Sequence, residues 1–143
     1  MNKALHENEI SERIIGCCIQ VDRALGPGLL ESAYEECLAA EMNAQGLQFE
    51  RQKPVPLVFR NVKLDCGYRV DFLVEGKVIL ELKAMDVVPP VMYSQVLTYV
   101  RLLDNHLGLL VNFHAELLKN GIRRVVNNLD EPPRFSATSA PLR

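Results

Sequence analysis

Two apolar runs meet at Glu75-Gly76-Lys77, and both carry ionisable residues where a strand interior should have none. The stretch from residue 67 to residue 83 reads as two Val-, Ile-, Leu- and Phe-rich strands joined by a tight turn. Asp71 and Glu81 each lie five residues from Gly76. A hairpin folded about that glycine sets them opposite each other, about 5 Å apart. Glu81 and Lys83 are two residues apart and share a face, while Val78, Leu80 and Leu82 take the other. Few arrangements tolerate two carboxylates and an ammonium on one patch of a largely apolar hairpin.

Like charges at that distance repel, and burial raises the cost of ionising both. A divalent cation reverses the sign of the problem. Magnesium and manganese take carboxylate, carbonyl and water oxygens, often with only one or two protein carboxylates. The lysine beside them could then polarise a water or a substrate oxygen. Two plainer readings compete on the residues alone: a strand with one solvated face, and a structural ion pair between the carboxylates and Lys83.

The 143 residues suit a single domain. We place it over residues 1–128, with a flexible tail over 129–143 rich in Pro, Ser and Thr. No apolar run approaches the roughly 20 residues of a membrane helix. The first residues lack a hydrophobic signal core, so a cytoplasmic location is the expectation. Cys17, Cys18, Cys37 and Cys66 lack zinc-site spacing and read as core residues or free thiols. His6, His106 and His114 are scattered and read as surface or loop residues. A net charge of −2 argues against gripping nucleic acid by charge alone. Arg51, Lys53, Arg60, Lys63 and Arg69 are nonetheless clustered, either as a basic patch or as a charged sheet edge.

Helical spacing of Ile10, Ile14, Cys17 or Cys18, Val21 and Leu25 predicts a helix over 9–25 with Asn8 as N-cap. Gly26-Pro27-Gly28 ends it. A second helix over 29–45 carries Leu30, Ala33, Tyr34, Cys37, Leu38 and Met42, and Gly46 closes it. Glu31 falls in its first turn, where a carboxylate complements the helix dipole. Residues 47–66 hold two strand candidates, the first confined to an edge by Pro54 and Pro56, the second running from Leu57 to Arg60 and turning at Asn61 into Val62-Lys63-Leu64. Pro89-Pro90 opens a helix over 91–104, with Gln95 as the polar residue on its apolar stripe. Residues 107–113 form a continuous apolar strand, and 121–126 an edge strand.

Gly28-Leu29-Leu30-Glu31-Ser32-Ala33-Tyr34 resembles the signature of the GxxExxY protein family. The likeness extends to Leu25-Gly26-Pro27, the run from Gly67 to Asp71, Glu81-Leu82-Lys83, Gln95 with Tyr99, and the run from Leu109 to Phe113, over about residues 9–127. That family is similar to a compact branch of the PD-(D/E)XK nuclease-like superfamily. The resemblance implies an α/β (α+β) fold, with a mixed central sheet of about four core strands flanked by helices in the order α-α-β-β-β-β-α-β-β. It sets Asp71 at the aspartate position and Glu81-Leu82-Lys83 at ExK. Val70 stands where the pattern has proline, and Met92 where a histidine is frequent.

What the resemblance implies chemically is a metal-dependent nuclease, acting on DNA in preference to RNA. Asp71, Glu81 and the Leu82 carbonyl would bind Mg2+ or Mn2+, and Glu31 a second metal or a metal-bound water. Lys83 would assist the attacking water. Gln95 and Tyr34 would orient groups around the site, with Arg69 contacting phosphate and Tyr99 close by. A homodimer is compatible with so small a core. The rival reading is a catalytically silent module of the same fold that binds nucleic acid, a nucleotide or a protein.

Overall fold

The computed structural model describes residues 4–130. The expected tail over 129–143 lies, beyond Asp130, outside the described residues. Two helices, α1 (Glu7–Leu25) and α2 (Glu31–Ala44), precede the strands β1 (Phe49–Pro54), β2 (Leu57–Phe59), β3 (Val62–Leu64), β4 (Arg69–Val74) and β5 (Val78–Lys83). Helix α3 (Pro90–Leu102), strand β6 (Leu107–Asn112), a 3-10 turn (Leu118–Gly121) and strand β7 (Ile122–Val126) follow. The main sheet has five strands in the order β1-β4-β5-β6-β7. Only β5 and β6 run parallel, and α3 is the crossover that joins them.

Alternation along the strands sorts two cores onto the two faces. Phe72, Val74, Val78, Leu80, Leu82, Leu109 and Val111 pack beneath α1 and α2 with Ile10, Ile14, Cys18, Tyr34, Leu38 and Met42. Val70, Leu73, Ile79, Leu110 and Val125 pack beneath α3 with Val96, Tyr99 and Val100. Strand β6 is buried along its whole length, as its unbroken apolar run requires of a strand covered on both faces.

The mixed sheet flanked by helices agrees with the expected fold class, with two differences in detail. The segment 57–64, counted once in the expected order, forms two strands that pair with each other in a separate ribbon. Arg60 and Asn61 both have positive φ, 49° and 66°, which makes a two-residue turn at the expected Asn61. The cap of α1 is His6 rather than Asn8: the Asn8 N–H donates to His6 Nδ1 at 2.9 Å, and Glu9 completes a capping box. Cys17 and Cys18 are buried, Cys37 is half-buried and Cys66 is exposed, all as free thiols.

Candidate active site

Strands β4 and β5 part company at the acidic residues. Their register runs Val74↔Val78, Leu73↔Ile79 and Phe72↔Leu80, which would bring Asp71 opposite Glu81 next. There the backbone ladder gives way to side chains. Asp71 N–H donates to Glu81 Oε1 at 2.9 Å, and Leu82 N–H donates to Asp71 Oδ2 at 2.8 Å. Each carboxylate takes a main-chain donor from the opposite strand. Strand β5 stays with β6 as far as Lys83↔Asn112, and β4 stays with β1 as far as Arg69↔Pro54. The sheet therefore forks, with Asp71 and Glu81 bridging the fork.

Burial sets the electrostatics. Desolvation, then the neighbouring Asp71 charge, pushes the Glu81 carboxyl up to about 8. Desolvation also raises Asp71, partly offset by the hydrogen bond from Leu82. Glu31 is raised by burial against the pull of Lys83, with Asp71 and Glu35 adding to the rise. Lys83 is the cation that all three carboxylates feel. Among the described residues, no three Asp, Glu, His or Cys side chains converge tightly enough to enclose an ion. The donor set at the fork is one buried and one half-buried carboxylate, hard oxygen donors short of positive charge, which suits one hard divalent cation with its remaining positions open.

The loop before α2 fixes where the helix, and Glu31 in its first turn, begins. Gly26 and Gly28 have φ of 66° and 103°, a region that disfavours side chains. Tyr34, fully buried one turn into α2, reaches back over the loop: its hydroxyl donates to the Gly26 carbonyl and accepts from Leu29 N–H at 3.2 Å. Its ring stacks on Phe113 with centroids 4.5 Å apart. His114 Nε2 donates to the Leu29 carbonyl at 2.9 Å. The spacing of Gly28, Glu31 and Tyr34 thus has a mechanical meaning: a turn, a presented carboxylate and a clip.

Sequence reasoning missed three members of the surroundings. Gln52 Nε2 bridges Asp71 Oδ1 at 3.2 Å and Glu35 Oε1 at 2.9 Å, from a backbone held at φ 51°. Glu35 lies one turn beyond Glu31 on α2, and Arg51 bonds it and Glu36 at 2.7 and 2.6 Å. Asn112 grips the chain just after Lys83: its Nδ2 donates to the Met85 carbonyl at 2.8 Å and its Oδ1 accepts from Met85 N–H at 3.1 Å. Only the four-residue spacing of Glu31 and Glu35 was available as a signal. Gln52 in a left-handed conformation has none.

A family model of the PD-(D/E)XK nuclease superfamily matches residues 8–125. This chain belongs to that superfamily. No curated protein and no solved structure matches the chain.

Within this PD-(D/E)XK domain, Asp71 and Glu81 meet at the fork, Lys83 ends β5 two residues on, and Glu31, exposed in the first turn of α2, feels the charges of Lys83 and Asp71. Leu82 contributes main chain there while its side chain is buried in the core. Tyr99 lies on the buried face of α3 and within the field of Glu81 and Asp71, which, after desolvation, raises its hydroxyl. Gln95 is exposed, not buried on the apolar stripe. Val96, Tyr99 and Val100 take the buried face of α3, and Gln95 falls at its margin. Arg69 bonds the Tyr68 carbonyl at 3.0 Å and lies 3.9 Å from Asp65. Tyr34 bonds the Gly26–Leu30 loop and Phe113 rather than Asp71, Glu81 or Lys83.

Proposed function

We propose that this chain is a divalent-cation-dependent nuclease that hydrolyses phosphodiester bonds in DNA, and that it belongs to the GxxExxY branch of its superfamily. The observation that carries the reading is the crossed capture of Asp71 and Glu81 by main-chain donors at the fork, with Lys83 on the same strand. Two carboxylates fixed in this way and left short of positive charge are costly to a fold that gains nothing from them.

Asp71, Glu81 and the Leu82 carbonyl would hold Mg2+ or Mn2+, whose bound form supplies Lewis-acid charge and a more acidic water. Lys83 would donate a hydrogen bond to the attacking water or to a phosphate oxygen, where charge grows in the transition state. Glu31 would orient a water on the α2 side of the fork. Gln52 would hold the Asp71 carboxylate in place through Oδ1. Gln95, exposed on α3, would meet the substrate rather than the core. The low net charge is compatible with this, because the cation offsets the acidic centre.

The test is cleavage of supercoiled, linear, single-stranded and branched DNA, and of RNA, with Mg2+ or Mn2+. Wild type should cut in a cation-dependent way, and Asp71→Ala and Lys83→Ala should not. A folded, Mn2+-binding wild type that cuts none of these substrates would overturn the reading in favour of a binding module.

A further inference from the structure

The β2–β3 ribbon stands outside both cores. It is a two-stranded arm, and such ribbons are marginal alone in water. The pairs Leu57↔Leu64 and Phe59↔Val62 place four apolar side chains on one face, with Val58 and Lys63 on the other. Phe59, Val62 and Leu64 are 60 %, 55 % and 40 % exposed. Residues 57–64 contain Arg60 and Lys63 and no carboxylate. Arm-on-arm pairing with a second copy would bring like charges together, whereas a polyanion would be attracted. At the tip, the Arg60 guanidinium lies 5.2 Å from the centre of the Phe59 ring.

The arm is continuous with the fork. Its legs leave the sheet at the paired residues Pro54 and Arg69, two rungs from Asp71. Val55 N–H bonds the Tyr68 carbonyl at 2.9 Å at the base. The Tyr68 ring is 6.1 Å from that of Tyr99, which lies in the field of Glu81. A cleft of about 420 Å³ lined by Lys53, Pro54, Pro56, Lys63, Leu103 and one carboxylate, Asp65, opens at the same base.

We propose that the β2–β3 arm is a nucleic-acid contact, with Phe59 stacking on an unpaired base and Arg60 and Lys63 holding the adjacent backbone. Single-strand sites combine these two groups, an aromatic face and cations along the chain. The identity of the ligand rests on the nuclease reading; the placement of the contact rests on the arm.

The test is fluorescence anisotropy with labelled single-stranded and duplex DNA in EDTA, so that binding is read without cleavage. Wild type should bind the single strand more tightly than the duplex. Phe59→Ala should weaken single-strand binding on the order of tenfold, and Phe59→Trp should retain it. The double variant Arg60→Ala/Lys63→Ala should flatten the dependence of log affinity on log salt by roughly one to two. Equal affinities for wild type and the Ala variants would overturn the proposal, as would no binding at all. A wild-type dimer that Phe59→Ala dissociates, without change in DNA affinity, would assign the arm to a second copy and also overturn it. Arm-dependent binding without Mn2+-dependent cleavage would leave the arm standing and remove the nuclease reading; cleavage indifferent to the arm variants would do the reverse.

Discussion

Asp71 and Glu81 are bound to each other's strands. The Asp71 N–H donates to Glu81 Oε1, and the N–H of Leu82, the residue after Glu81, donates to Asp71 Oδ2. The exchange replaces the backbone rungs that β4 and β5 give up at the fork. It also commits one oxygen of each carboxylate, and burial then raises the cost of charging either one.

That cost predicts a pH dependence of stability. Glu81 has a folded pKa of about 8, above its unfolded value of 4.5. Between these values the folded state retains a proton that the unfolded state has lost. Without divalent ions, stability is therefore greatest below the unfolded value and falls as pH rises through the folded one. Asp71 is shifted in the same direction. Urea melts in EDTA should show lower stability at pH 8 than at pH 5, by on the order of a few kcal/mol. Mn2+ should restore more at pH 8 than at pH 5. Glu81→Gln keeps an oxygen to accept from Asp71 N–H and should flatten the profile. A wild-type profile without that decline would contradict the electrostatic account.

Lys83 makes a separable prediction. On the proposed nuclease reading Lys83→Ala removes no cation ligand, so Mn2+ binding measured by calorimetry should remain close to wild type. Cleavage should fall about 100- to 1,000-fold, the usual loss when one donor to developing charge is removed. Asp71→Ala should lose both. Equal loss of Mn2+ affinity in the two variants would show that Lys83 acts on the carboxylates and not on the substrate.

That the ladder ends at Asp71 and Glu81 was not legible from sequence. Their meeting was, because period-two alternation and the turn at Gly76 fix which residues face each other. Asp71 opposite Glu81, and Glu81 apart from Val78, Leu80 and Leu82, both follow from it. The helices were legible from apolar spacing. The turn at Asn61 was legible too, but not that its two arms pair only with each other, because nothing in two short β-rich runs says whether they join the main sheet. Gln95 was misread because a helical stripe has a margin, and one residue shifts a side chain by about 100°. Gln52 was invisible, since its role depends on a left-handed backbone that its residue type does not announce.

Gln52 can be tested by comparing two truncations. Gln52→Ala and Gln52→Gly both lose the bonds to Asp71 and Glu35. Only Ala retains the strain of φ 51°. The Gly variant should therefore be the more stable of the two, by roughly 1 kcal/mol in urea unfolding. An Ala variant as stable as the Gly variant would mean that the backbone relaxes out of the left-handed region.

Tyr34 divides into a ring and a hydroxyl. Tyr34→Phe keeps the stack on Phe113 and loses the bonds to Gly26 and Leu29, at a cost of about 1 kcal/mol. Tyr34→Ala empties a fully buried site and should cost about 3–5 kcal/mol. If the hydroxyl's work is to hold the loop that presents Glu31, Tyr34→Phe should also speed amide hydrogen exchange at Leu29 while leaving exchange in β6 unchanged. Uniform acceleration across the sheet would mean that the hydroxyl supports global stability and not the loop.

Gly108 sets how closely α3 lies on the sheet, and so where Tyr99 stands beside Glu81. A Cβ there would fall 2.7 Å from Val96 Cγ1 and 2.9 Å from Val100 Cγ2, both on stiff, branched side chains of α3. The helix must lift or the valines must leave their rotamers, so Gly108→Ala should destabilise by about 1–3 kcal/mol. Val96→Ala in the same chain should recover part of that loss, because it clears the nearer clash. A non-additive double-mutant cycle would locate the strain at this contact, whereas simple additivity would place it elsewhere.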